Sequence, residues 1–489
     1  MRKPVELHAR DREWASLADF GSDPTAGASL GLVYGRRRQG KTLMLELLAE
    51  ATGGFMFTAR EQSDQQNLSD LSAVYAAYTG QPSSLRFGTW QDLIEALLRI
   101  GTDAANPIPV ILDEFPHLVA QSPSLPSLIQ IALSPRSFAS RRTRTRLILC
   151  GSAMSVMRDL LGKGAPLRGR ATLELVLQPF RFREAASFWG LESELELAFR
   201  VNALLGGTPA YRTMTYGPPA DLTSFERWVA DRILNPASAT FREGNLLLRE
   251  EAQITDPTPY HAVLTAIAGG ATRRSEVAGL LGRPATGVGH LLEGLEQVGL
   301  IARLEDAFRQ RRGAYRLTDP LIRLHSLIIG RHEGALVRGH GARVWAASAD
   351  TLTSRIHGPH FEDLAREWCW SHAGTDTLGG VPNEVLPAVV PCPIHSQGHE
   401  LDVVVVESPA NRPRRTVAIG EAKATAGATD DDQLRRLEHL RELIPTRFAP
   451  APVRLLLFSR SGFTVRLRRA AAGRSDLELI DLDRLYRGE

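Results

Sequence analysis

Apolar residues fall along this chain in two rhythms. Short runs at 30–34, 53–58, 108–112 and 146–150 are apolar on successive positions and predict buried strands. Between them, 43–50 and 63–78 show helical spacing, and Thr89-Trp90-Gln91-Asp92-Leu93-Ile94 opens another helix. A short helical pattern also follows Arg10-Asp11-Arg12-Glu13-Trp14. Strands alternating with helices predict an α/β layer sandwich around a parallel sheet. From 183 to about 234 the spacing is helical, as in a lid laid over a sheet. Three more helical stretches follow at 260–268, 273–281 and 286–295, and then a basic hairpin pattern that ends at Leu317. The final third reads as an amphipathic helix at 358–368, strands at 400–406 and 416–423, a helix at 432–437 and a strand at 453–458.

A chain of 489 residues exceeds one core. The pattern divides it into a strand-rich core (1–183), a helical lid (184–245), a three-helix-and-hairpin segment (246–335) and an α/β segment (336–489). No stretch approaches the roughly 20 apolar residues of a membrane span. The first residues have no apolar signal core, so the expected compartment is the cytoplasm. Cys150, Cys369 and Cys392 lie scattered without ligand spacing, which predicts neither disulfides nor a structural zinc. His395 and His399 read as polar loop residues. Net charge is only +3, but positive residues gather at 36–38, 141–146, 309–312 and 466–469, a distribution that favours a nucleic-acid partner. Of the 58 basic residues only four are lysines: Lys3, Lys41, Lys163 and Lys423. In a chain that otherwise uses arginine, a lysine marks a place where a compact ammonium differs from a planar guanidinium.

Lys41 stands in Gly35-Arg36-Arg37-Arg38-Gln39-Gly40-Lys41-Thr42, with Leu43 opening a helix and the 30–34 strand just before. Strand, G-x-x-x-x-G-K-T and helix make a phosphate-binding P-loop. Backbone N–H groups of residues 35 to 43 point at phosphate oxygens, and the helix N-terminus adds positive charge. Lys41 reaches the β- and γ-phosphates and Thr42 binds Mg²⁺. The strand that ends in Asp113-Glu114, about 70 residues on, supplies the matching carboxylates. Asp113 holds Mg²⁺ and Glu114 orients or deprotonates the attacking water. A further strand ends at Gly151-Ser152, where Ser152 is placed to sense the γ-phosphate.

These motifs, with Cys-Gly-Ser-Ala-Met-Ser-Val-Met (150–157), Pro-Leu-Arg-Gly-Arg (166–170) and Gly-Gly-Thr-Pro-Ala-Tyr (206–211), resemble archaeal-type P-loop ATPases, relatives of AAA+ proteins in the STAND group. The resemblance implies ATP as the nucleotide, a phosphate-reading role for Arg170, and nucleotide contacts from Gly207 and Pro209 in a lid. The family's Phe-Val-Gly-Arg opening is replaced by Leu7-His8-Ala9-Arg10.

Three helices followed by a hairpin form a winged helix-turn-helix pattern. Thr286 and His290 are the polar side chains of its third helix, and Arg309, Arg311 and Arg312 make the hairpin basic. That composition favours phosphate contact over base reading. In the last segment Asp402 lies near the start of one strand and Glu421-Ala422-Lys423 ends the next. Alternate strand residues share a face, so Glu421 and Lys423 lie together. Asp402, Glu421 and the Ala422 carbonyl can hold Mg²⁺ while Lys423 activates a water. This resembles the PD-(D/E)xK restriction-endonuclease-like superfamily, with Glu362 on the preceding helix as an extra carboxylate. The expectation is an ATP-binding and hydrolysing switch coupled to DNA binding and metal-dependent cleavage. The alternative is an ATP-dependent scaffold whose nuclease-like segment does not cut. DNA, a second copy of the chain and a protein that triggers hydrolysis are the candidate partners; a membrane is not among them.

Overall fold

A computed structural model describes residues 1–489 apart from 250, 252, 253, 255, 310–312, 395, 409, 411, 412, 450 and 451, and apart from the side chain of 140. The hairpin residues 310–312 and His395 therefore lie outside the described residues. The chain forms two compact units. One comprises Met1–Pro179, Thr208–Ala210 and Arg249–Thr255; the other comprises Phe180–Gly207, Tyr211–Leu248 and Asp256–Glu489. Among the described residues, no helix is long and apolar enough to cross a membrane.

The first unit is built on strands β1 (Ser29–Tyr34), β2 (Phe55–Thr58), β3 (Ile108–Asp113), β4 (Thr145–Gly151) and β5 (Ala171–Val176). All neighbours are parallel, in the order β2-β3-β4-β1-β5. The period of two explains why these runs are apolar at every position. Leu30, Leu32, Val110, Leu112, Leu147 and Leu149 enter one layer with Leu68, Leu71, Trp90 and Leu93. Val33, Ile111, Ile148 and Cys150 enter the other with Trp14, Leu17, Met44 and Leu48. The first four strands match the runs read from the sequence. β5 was not among them, because as an edge strand it alternates half-buried and exposed positions. Ser63 and Thr89 cap the helices Asp64–Thr79 and Trp90–Arg99 by accepting from the backbone N–H groups of Gln66 and Asp92.

In the second unit, helices Phe182–Trp189, Leu195–Leu205 and Phe225–Arg232 occupy the stretch with helical spacing. Helices Thr258–Ala268, Arg274–Leu280 and Gly289–Gln297 precede an antiparallel hairpin of β6 (Ile301–Leu304) and β7 (Ala314–Leu317). The third helix begins later than its periodicity suggests, because residues Ala285–Val288 form a 3₁₀ turn. A mixed sheet follows, of β8 (Glu384–Cys392), β9 (Gln397–Glu407), β10 (Arg415–Lys423), β11 (Arg454–Ser459) and β12 (Leu477–Asp481), in the order β12-β11-β10-β9-β8. β8–β9 and β9–β10 are antiparallel; β10–β11 and β11–β12 are parallel. The helix Gly358–Ser371 presses Trp368 edge-on against Phe458 at 5.7 Å. The helix Asp431–Glu442 buries Leu434, Leu437 and Leu440 among Val390, Leu401, Val404 and Ile419.

Candidate functional site

The Walker residues meet at the carboxyl edge of the parallel sheet, where the ends of strands and the starts of helices leave polar groups to share. β1 delivers the loop 35–40, and the helix Lys41–Thr52 begins directly after Gly40. Gly40 has φ 85°, a left-handed conformation that a side chain would strain. Lys41 is buried, and its Nζ donates to the Gly35 carbonyl at 2.8 Å and the Arg36 carbonyl at 3.0 Å. Burial lowers its pKa, and the surrounding negative groups, Asp113 and Glu114 among them, oppose the shift. Thr42 Oγ1 donates to Asp113 Oδ2 at 2.9 Å. β4 separates β1 from β3 in the sheet, so Glu114 just past β3 and Ser152 just past β4 become neighbours. Ser152 Oγ lies 3.1 and 3.0 Å from the two Glu114 oxygens, and its N–H lies 3.3 Å from Oε2.

Of the remaining predicted residues, Arg36, Arg37 and Arg38 are half-buried in the loop and Leu43 is exposed on the helix. Arg170 donates to the Leu133 carbonyl at 3.3 Å. Gly207 exchanges backbone contact with Phe180, whose N–H donates to the Gly207 carbonyl at 2.8 Å. A Cβ at position 207 would lie 1.9 Å from the Phe180 carbonyl oxygen, so this glycine is a close-packing requirement. Pro209 is half-buried, and the residue that touches the loop is its neighbour: Gln39 Nε2 donates to Thr208 Oγ1 at 3.1 Å. Sequence reasoning passed over Thr208 in favour of the residues that flank it. It also left Arg10 without a role. That buried guanidinium donates to the carbonyls of Gln178 at 2.6 Å and Gln39 at 3.4 Å, which ties the loop to the residues after β5.

The basic runs are less open than their sequence suggests. Arg146 is buried and donates to the Gly27 carbonyl at 2.6 Å, and Arg144 donates to the Ala105 carbonyl at 2.7 Å. Arg466 pairs with Asp431, and Arg468 lies 3.6 Å from Asp481. These runs serve the fold in part.

In the second unit the β9–β10 register brings Glu421 opposite Asp402, one step beyond the Gly420–Val403 pair. Asp402 Oδ2 accepts from the Ala422 N–H at 2.8 Å. Lys423 Nζ donates to Glu421 Oε1 at 2.5 Å, and Arg436 pairs with the same oxygen. Glu421 Oε2 is buried with no hydrogen-bond partner among the described residues. Burial first, then Glu421, raises the pKa of Asp402 to about 6. Burial first, then Asp402, raises that of Glu362 to about 8. The three predicted carboxylates therefore sense one another, and Lys423 stands beside them. Arg366 fastens the helix behind: its Nη1 donates to the Asp402 carbonyl and its Nη2 to Asp363 Oδ1, both at 2.7 Å. Arg316 of β7 also lies 2.7 Å from Asp363.

A cavity of about 650 Å³ opens over this cluster. Glu362, Asp402 and Glu400 line one part, and Arg273, Arg309, Arg316 and Arg355, from the helices and hairpin before them, line another. Thr286 lies in the 3₁₀ turn and His290 in the helix Gly289–Gln297.

No family model matches the chain. An uncharacterised protein of Methanocaldococcus jannaschii is 26% identical over 312 residues, which cover 63% of this chain and 66% of that protein. The match thus spans just under two thirds of the relative's length. Among solved structures, a Walker-type ATPase of Pyrococcus abyssi aligns with a TM-score of 0.51 at 19% identity, over 66% of this chain and 97% of that one. The ORC2 protein of Aeropyrum pernix, in ADPNP–ADP complexes, gives a TM-score of 0.41 at 19% identity over 71% and 97%, too loose a likeness to carry an argument. The likeness to the Pyrococcus protein shows fold: the five-stranded parallel sheet is that of a P-loop NTPase domain.

Proposed function

We propose that the chain is an ATP-binding and ATP-hydrolysing switch coupled to DNA binding and to Mg²⁺-dependent DNA cleavage. The observation that carries the first half is the convergence of Lys41, Thr42, Asp113, Glu114 and Ser152 at one sheet edge. In this reading the loop N–H groups bind the phosphates, and Lys41 turns from its own loop carbonyls toward the β- and γ-oxygens. Thr42 and Asp113 would hold Mg²⁺, which would supply positive charge against the negative charge developing on the phosphates. Glu114 orients the attacking water, and Ser152 holds the Glu114 carboxylate until nucleotide draws it away. Thr208 on Gln39 supports a link between the Gly-Gly-Thr-Pro segment and the loop.

The second half rests on the Asp402, Glu421 and Lys423 cluster. The buried, unpartnered Oε2 of Glu421 fits a cation, which Asp402, Glu421, the Ala422 carbonyl and Glu362 would hold. Lys423 then positions the water that attacks a phosphodiester. Arginines across the same cavity suit a polyanion; Arg273, Arg309 and Arg316 come from the segment read as a winged helix that docks DNA through phosphate contacts, and Arg355 from the segment after it. One observation favours a non-cutting scaffold: Arg436 pairs with Glu421 as well, so two cations share one carboxylate.

Supercoiled, linear and single-stranded DNA incubated with Mg²⁺ or Mn²⁺, with and without ATP, decides between them. Cleavage that disappears in Lys423→Ala and loses its ATP response in Lys41→Ala is the expected result. ATP turnover with every DNA left whole would move the reading to the scaffold.

A further inference from the structure

Three residues that the sequence scatters are brought together at the turn end of the β8–β9 hairpin. In the antiparallel register Cys392 pairs with Gln397 and Val390 with His399. Residues 390 and 392, and their partners 397 and 399, therefore share one face of the sheet. It is the face that carries Val390 and Leu401 under the helix Asp431–Glu442. His439, near the end of that helix, completes the group. Its Nε2 lies 3.4 Å from Cys392 Sγ. One donor atom from each of Cys392, His399 and His439 falls within 4.8 Å of the others, with Cys392 buried and the histidines half-buried.

We propose that Cys392, His399 and His439 form a Zn²⁺ site that fastens the β8–β9 hairpin to the helix Asp431–Glu442. Ligands at about 2.0–2.3 Å from a tetrahedral zinc lie roughly 3.3–3.8 Å from one another, so small side-chain movements close the observed triangle. One thiolate and two imidazoles suit zinc and exclude Mg²⁺, which prefers oxygen. The site is thus chemically distinct from the Asp402–Glu421 cluster. Binding releases the thiol proton to solvent and leaves one position for a water. The ion fixes more than a hairpin tip. One turn before His439, Arg436 pairs with Glu421 and donates at 3.2 Å to the Glu400 carbonyl, next to His399. Zinc therefore sets the register of the helix that meets the carboxylate cluster.

The test uses the full chain, free of any affinity tag and purified without chelator. Elemental analysis is expected to give about one zinc per chain. Replacement by Co²⁺ is expected to give a near-ultraviolet thiolate-to-cobalt charge-transfer band. Cys392→Ser removes that band, His439→Gln weakens Co²⁺ affinity at least tenfold, and Asp402→Asn keeps the band. Wild-type chain that retains no zinc and gives no thiolate band with Co²⁺ overturns the proposal, whatever the variants do. Zinc kept at full stoichiometry in folded Cys392→Ser overturns it equally.

Discussion

In the first unit the Walker carboxylates are met by hydroxyls, Asp113 by Thr42 at 2.9 Å and Glu114 by Ser152 at 3.0 Å. In the second unit the carboxylates are met by cations: Glu421 by Lys423 and Arg436, Asp363 by Arg316 and Arg366. A hydroxyl satisfies a carboxylate oxygen without cancelling its charge, and it leaves readily when a stronger partner arrives. A buried ion pair cancels the charge, and removing one member strands the other in a medium that solvates it poorly. The first arrangement suits a site that must rearrange with each nucleotide. The second suits a framework that holds two mutually repelling carboxyls, Asp402 and Glu362, in place.

The sharpest way to break this comparison is at Glu114. Glu114→Gln is expected to lower ATP turnover by about 10²–10³-fold with nucleotide affinity kept, read by phosphate release and equilibrium binding. Unchanged turnover would remove Glu114 from the chemistry. Next in size is a pair of stability measurements. Arg366→Leu takes one cation from buried Asp363, whose carboxyl burial would raise but which Arg316, Arg366 and Arg323 hold below the ordinary range. Its expected cost, with the bonds to Asp363 and the Asp402 carbonyl lost and Arg316 still in place, is about 2–3 kcal/mol by denaturant unfolding. Thr42→Val, which removes a hydroxyl partner, costs about 1 kcal/mol in the same assay. Equal costs would erase the distinction drawn here.

Acid should separate the units as well. Burial, aided by His261 for His325, Arg460 for His357 and Arg323 for His360, lowers these three histidines of the second unit to about 4, 4 and 3. Unfolded, they take up protons near pH 6.5, so the second unit loses stability as pH falls from about 6.5 toward 4. The buried carboxyls Asp402, Glu362 and Glu367, raised in the fold, oppose this loss over the same interval. The histidine share is therefore read as the difference between paired melts of wild type and His360→Gln at pH 7 and pH 5, where the variant should lose less stability. A carboxyl of the same unit gives the opposite sign. Glu362, at about 8, keeps a proton in the fold that the unfolded chain gives up near 4.5, so stability declines as pH rises through that interval. Glu362→Gln should therefore stabilise the chain more at pH 8 than at pH 5, measured by paired melts.

Much of the first site was legible because strand, glycine loop and helix are continuous in sequence. Glu421 and Lys423 were legible for a similar local reason, since alternation on one strand puts them on one face. What escaped was set by other physics. Thr208 reaches Gln39 from 169 residues away, a distance that no periodicity encodes. β8 carries Pro387 and Pro391, which argue against a central strand but are tolerated at the sheet's edge, where β8 lies. The spacing of Cys392, His399 and His439 carries no metal pattern, because a hairpin register and a helix on another segment bring them together.

The first unit's three-segment make-up has a consequence for synthesis. By Val176 the growing chain has all five strands of the parallel sheet, yet Thr208 and the Arg249–Thr255 segment emerge only after much of the other unit's helical stretch. Residues that belong to the first domain thus arrive while its neighbour is still being made. A nascent chain stopped after β5 leaves the Gln39 amide without Thr208, and its phosphate loop should be cut by protease sooner than that of a chain released after residue 255.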